Sequence, residues 1–167
     1  MTTFLRFAAF AAALALQPVC AETFAGIVVG VSDGDTVTVL DEAKASRKVR
    51  LMGIDAPESR QAFGAASKKS LSDLAYRQAV QVDWSKTDRY GRIVGKLTDD
   101  GGKDINLEQV RRGLAWHYAK YEREQTPEDR RLYSEAEAEA RIAGVGLWKD
   151  PSPVPPWEFR REAKGNR

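Results

Sequence analysis

The sequence predicts a small α+β domain that is mainly β: five strands forming a barrel, with about three helices. Three observations point there. Short β-branched runs separated by Gly/Asp turns fill the first third of the chain and recur in two more. The apolar period changes from strand-like to helix-like between the third and fourth runs, and helical signals dominate after the fifth.

In chain order, Phe24 to Val31 reads as the first strand, centred on Ile27-Val28-Val29. Ser32-Asp33-Gly34 is a turn, and Thr36 to Leu40 alternates polar and β-branched residues as a second strand. Asp41 to Ser46 is a polar hairpin connection. Val49 to Ile54 makes a third strand, ended by Pro57, which lacks the N–H a ladder needs. From Gly64 to Tyr76, Ala66, Leu71, Leu74 and Ala75 recur at helical spacing. Val80, Val82 and Trp84 alternate with Gln81 and Asp83 as a fourth strand, and Arg92 to Thr98 is the fifth. Asn106 is placed to cap a short helix ending at Gly113. Thr126-Pro127-Glu128-Asp129 supplies a cap, a first-turn proline and N-terminal acids for a longer helix, with Leu132, Ala136 and Ala140 on one face and Gly144 ending it. This element order is that of an OB-fold barrel. A small open α+β sheet would have the same order.

Residues 1–21 stand apart. One positive charge, an unbroken apolar run from Phe7 to Leu16 and the small residues around Cys20-Ala21 form a signal peptide's three parts. The run is short for a membrane span. Cleavage after Ala21 is expected, lipoprotein processing at Cys20 being disfavoured by Val19, and the product would be exported to a periplasm or beyond. Residues 22–150 then form the barrel domain. Residues 151–167 form a tail, proline-rich and then basic, read as a solvated, partly disordered end, with Trp157 and Phe159 as its candidate anchors. Losing residues 1–21 removes the only cysteine and lowers the formal charge of +2 by one. A near-neutral domain does not capture nucleic acid by bulk charge, so any phosphate affinity must come from charges grouped locally.

Two stretches group them: Asp33-Gly34-Asp35-Thr36, and Arg50-Leu51-Met52-Gly53-Ile54-Asp55-Ala56-Pro57-Glu58. Asp35 and Asp55 each lie just off a strand end. Carboxylates with carbonyls and water suit a hard divalent cation, and two aspartates alone would leave the ion open to substrate. Glu58 has the chemistry to orient or deprotonate a water. Arg50 and Arg92 offer the planar fork that matches phosphate, and Tyr90 and Tyr121 offer stacking faces. Each feature has a plainer reading: turn aspartates bonding local N–H groups, a surface acid after proline, solvated arginines, packed tyrosines. A lone histidine, His117, excludes a histidine-rich zinc site and reads as structural.

Taken together, Asp-Gly-Asp-Thr, Val-Arg-Leu-Met-Gly-Ile-Asp-Ala-Pro-Glu, Asp-Arg-Tyr-Gly-Arg and Arg-Gly-Leu-Ala-Trp resemble, in order and spacing, the staphylococcal (thermonuclease, or micrococcal) nuclease family. The resemblance runs from about Phe24 to Trp148, and the tail Pro-Val-Pro-Pro-Trp-Glu-Phe-Arg-Arg is similar to the ending of many bacterial members. It implies an OB-fold barrel, Ca²⁺ as cofactor, and an enzyme cleaving DNA and RNA to leave 3′-phosphates; single-stranded or flexible regions are the expected substrate, and a monomer is the default expectation. It further implies that Asp35 and Asp55 hold the ion through side chains and Ala56 through its backbone carbonyl. Glu58 is then the general base, Arg50 and Arg92 clamp the scissile phosphate, and Tyr90 and Tyr121 contact nucleotide. Ala56 stands where a threonine is often found, and Ala119 where another tyrosine is expected. A catalytically silent OB-fold binding module, as in Tudor-containing scaffold proteins, is the competing expectation; the complete acid and arginine set argues against it.

Overall fold

The structure is a computed structural model that describes residues 22–165; the expected signal peptide, residues 1–21, lies outside them. Five strands form a closed barrel in the order β1 (Glu22–Val31), β2 (Thr36–Asp41), β3 (Ser46–Leu51), β6 (Ile93–Asp99), β5 (Ala79–Thr87). Pairing of Phe24 with Val82 and Gly26 with Val80 joins β5 back to β1 and closes it. All neighbours are antiparallel except β3 and β6, which run parallel with Arg50 beside Val94. Closure, which element order alone left open, removes the unpaired sheet edges. A barrel rather than an open sheet is therefore the outcome.

Strand alternation fills the interior. Val37, Val39, Val49, Leu51, Val82 and Leu97 are essentially inaccessible and belong to one apolar cluster. Fully burying side chains of this size is worth about 1.5–3 kcal/mol each. Leu71 and Ala75 of α1 (Gly64–Ala75) and Ile105 and Val110 of α2 (Ile105–Arg111) join the same cluster. Against α2 lies α3 (Pro127–Ala143), capped as the sequence predicts: Thr126 Oγ1 accepts from the Asp129 N–H at 3.0 Å, and Gly144 ends it in the left-handed region. Tyr133, from α3, is fully buried and donates its hydroxyl to Asp104 at 2.8 Å.

Three differences from the sequence reading matter for the site. The cap of α2 is Asp104, which accepts from the Leu107 N–H at 2.9 Å, while Asn106 is fully buried. Asn106 instead accepts from Leu97 N–H and donates to the carbonyls of Met52 and Gly95, stitching β6 to the end of β3. Nor does the third strand run on to Ile54. Gly53, at φ +77°, breaks it, and Ile54–Asp55 becomes a separate strand, β4, paired with β7 (Trp116–His117). The tail is not a solvated, disordered end within the described residues: Pro156–Gly165 is a fourth helix, α4. Finally, no described helix is long and apolar enough to cross a membrane.

Candidate active site

Asp35 is set by the β1–β2 turn. Asp33 Oδ1 accepts the Asp35 N–H at 3.1 Å, the local role expected of a turn aspartate. The turn is pressed against the helices, and a Cβ at Gly34 would fall 1.8 Å from Ser67 Oγ and 2.7 Å from Ala56 Cβ. Only glycine fits that approach. The Asp35 carboxylate then accepts from the Ala56 N–H at 2.7 Å and from Thr36 Oγ1 at 3.1 Å. Thus the first motif is bonded directly onto the second.

Asp55 ends β4, opposite Trp116, and is fully buried. The Arg-Gly-Leu-Ala-Trp motif therefore serves the site as scaffold. His117, on the same short strand, is buried and bonds Gln125 at 3.1 Å, consistent with a structural role. After Pro57 the chain turns, with the Gln61 N–H donating to the Glu58 carbonyl at 2.8 Å. This leaves the Glu58 carboxylate 40% exposed, beside the buried acids rather than among them.

Arg50 binds the group together. Its Nη2 lies 2.8 Å from Asp55 Oδ1 and 3.1 Å from Asp35 Oδ2, so one nitrogen bridges the two aspartates. Its Nη1 donates to the carbonyls of Leu51 and Ile54, both at 2.9 Å, spanning the break that Gly53 makes. Both terminal nitrogens are thus committed to protein oxygens.

A fifth member was not foreseen. Arg160 of α4 places Nη2 2.7 Å from Asp55 Oδ2, and its Nη1 lies 2.8 Å from Glu58 Oε1. The helix that carries it is held by Trp157, whose ring stacks on Tyr118 at 5.2 Å and meets Trp116 edge-on at 5.6 Å. The anchoring aromatics were legible. Which of the basic residues beyond them turns inward was not.

The other predicted residues make no hydrogen bond or ion pair with the three acids. Arg92 directly precedes β6, whose Ile93 pairs with Val49, and its guanidinium is held by Asp88 at 2.8 Å. Burial pushes the Asp88 carboxyl up, but the N–H groups of Arg92 and Tyr90 and the Arg92 guanidinium outweigh it and hold it below its ordinary value. Tyr90 is 69% exposed, with the guanidinium carbons of Arg89 and Arg92 4.9 and 5.6 Å from its ring centre. Tyr121 is 43% exposed, flanked by Lys86 and Lys120. Both rings present a face between cations, as base stacking beside a phosphate chain would require. Neither touches the three carboxylates.

With all three acids ionised, they outnumber the two guanidiniums, and every donor atom is oxygen. That chemistry fits a hard divalent cation. Among the described residues no three acid, histidine or cysteine side chains form a ready metal cluster. Two carboxylates and a backbone carbonyl fall below that count and would leave most of an ion's coordination to water and substrate.

Burial above all pushes Asp35 up to about 7; Asp33 and Asp55 add to the rise, while Arg50 and the Ala56 N–H oppose it. Between an ordinary aspartate value of ~4 and about 7, the folded chain holds a proton that the unfolded chain has released. This contribution to stability is complete below that window and is lost as pH rises through it. In chelator, thermal unfolding midpoints are accordingly expected to fall between pH 5 and pH 8, and Asp35→Asn to flatten that fall. An unchanged slope in the variant would assign it to another group.

Comparison with known proteins places the chain among relatives. Residues 48–150 match the family model described as staphylococcal nuclease homologue. That span holds Arg50, Asp55, Glu58, Tyr90, Arg92 and Tyr121 but leaves out Asp35. A protein named micrococcal nuclease from Shigella flexneri is 45% identical, over 84% of this chain and 83% of its own. An uncharacterized endonuclease of Haemophilus influenzae is 43% identical, over 83% and 74%. Protein ParB of Escherichia coli is 42% identical, over 94% and 92%.

Proposed function

Since the chain belongs to the staphylococcal nuclease family, we propose that it is an exported, calcium-dependent nuclease acting on the phosphodiester bonds of DNA and RNA. The observation that carries this reading is the convergence of Asp35, Arg50, Asp55 and Glu58, drawn from three separate segments, on one end of the barrel. A module that only binds nucleic acid has no need of buried carboxylates, which cost free energy unless they are paired.

In this reading Asp35, Asp55 and the Ala56 carbonyl hold Ca²⁺, which when bound supplies charge neutralisation and polarises a phosphoryl oxygen. Glu58, half-exposed, takes a proton from a water as its oxygen bonds to phosphorus. The bond from phosphorus to the 5′ oxygen breaks, that oxygen takes a proton from solvent water, and the 3′ side keeps the phosphate. Arg92, and Arg50 through Nε, bind the non-bridging oxygens. Tyr90 and Tyr121 take the neighbouring bases, which favours single-stranded or flexible substrate because a paired base has no free face. Export supports calcium use, since a weak and open site fills where calcium is plentiful. The working unit is a monomer without membrane attachment.

Denatured DNA and RNA are expected to be digested with Ca²⁺, spared with excess chelator, and digested again when calcium is restored. The fragments should resist 3′ extension until a phosphatase treats them. Folded protein that binds denatured DNA but never cuts it would replace this reading with the binding module.

A further inference from the structure

Arg160 touches the site from the far end of the chain, and its contacts are specific. Its two terminal nitrogens fork onto both oxygens of Asp55, at 3.2 and 2.7 Å, and the first also reaches Glu58. Asp55 Oδ1 already accepts from Arg50 at 2.8 Å. A carboxylate oxygen has two lone pairs, so Oδ1 is saturated and Oδ2 keeps one.

The contact is built in rather than a chance meeting of surface charges. Besides the Trp157 stack, the Gln61 side chain donates to the Val154 carbonyl. Phe159 lines a cavity with Pro57 and Phe63 of the loop that carries Glu58. Apolar packing of Trp157 and Phe159, just before Arg160, therefore fixes its approach.

We propose that Arg160 is an internal competitor for the site's divalent cation, and that through it the C-terminal helix sets how tightly that cation is held. This rests on the calcium reading of the site. A guanidinium and a divalent ion want the same Asp55 oxygens, and two cations a few ångströms apart repel strongly where solvent is scarce. Removing Arg160 takes away both the rival donor and the repulsion. Affinity for the ion must then rise, although a contact seen in the folded protein has been lost.

Calorimetric titration with Ca²⁺ alone tests this on the wild-type protein and three variants. Arg160→Ala is expected to bind Ca²⁺ roughly tenfold more tightly, within the range over which groups behind metal ligands move affinity. Trp157→Ala, which unseats the helix and leaves its charges in place, is expected to shift affinity in the same direction. Arg160→Lys keeps one positive charge and is expected to stay nearer to wild type than Arg160→Ala. Variants Arg160→Ala and Trp157→Ala that bind no more tightly than wild type overturn the proposal, as does a lysine variant equal to the alanine one. Failure of both wild type and Arg160→Ala to bind Ca²⁺ would sink the calcium reading itself. Wild-type binding that the variants leave unmoved sinks only the competition.

Discussion

Glu58→Gln is expected to cut turnover on single-stranded DNA by roughly 10²- to 10⁴-fold, the range a positioned general base contributes. The amide is almost the same size but cannot take a proton from water at the moment of attack. Its other consequences should be small. Glu58 loses an ion pair to Arg160 that is about 40% exposed on both sides, and such a pair is worth about 1 kcal/mol at most. Asp55 keeps both of its arginines, so the buried part of the cluster stays paired. The variant should therefore unfold within a few degrees of wild type and still bind Ca²⁺. Single-turnover cleavage beside a calcium titration separates these quantities. Wild-type rates in a folded variant would remove Glu58 from the proton transfer and leave it a surface acid after a proline.

The fold was legible where local chemistry decides structure. The Thr126 cap, Pro127 at the first helical position and Gly144 at the end each act within one turn, so α3 could be bounded from sequence. Burial alternation likewise placed the barrel strands, because every inward position faces one continuous core. What the sequence hid depends on distant partners. Asp104 and Asn106 are both competent caps, and the choice falls to Asp104 because the amide of Asn106 is needed by Met52, Gly95 and Leu97 across the barrel. Strands of two residues, such as β4 and β7, carry no periodicity at all. Arg160 is the same case in the site. It sits in a basic tail, and its approach to Asp55 follows from where Trp157 docks, which no spacing in the chain encodes. Asp35, Asp55, Glu58 and Arg50 were named from their motifs, yet the bridging of both aspartates by one Arg50 nitrogen appears only in three dimensions.

That bridging makes Arg50→Ala the most damaging single change to the cluster. Its side chain is 15% exposed, and its loss strands Asp35 and leaves Asp55 to Arg160 alone, both carboxylates being buried more deeply still. Removing one partner of a buried pair typically costs about 3–5 kcal/mol, and a phosphate donor at the same position would be worth roughly a further 10²- to 10³-fold in turnover. Two Nη1 bonds, to Leu51 and Ile54, are lost as well, so the Gly53 break is no longer spanned. For a domain of this size, a loss of ~3 kcal/mol lowers the melting temperature by about 6–12 °C. Its pH dependence identifies the cause. Arg50 is the main group holding the Asp35 carboxyl down against burial, so without it the value moves higher than about 7. At pH 5 Asp35 is protonated in both proteins and needs no cation. At pH 8 the wild-type carboxylate is ionised and paired, and the variant has nothing to pair it with. The stability gap between Arg50→Ala and wild type, measured in chelator, is accordingly expected to widen from pH 5 to pH 8. Lysine at position 50 should narrow the gap only partly: it restores a charge, but its three donors cannot meet the four oxygens that Arg50 reaches. A gap of constant size across that range would mean that Arg50 acts by packing and backbone bonds alone, and that Asp35 does not depend on its charge.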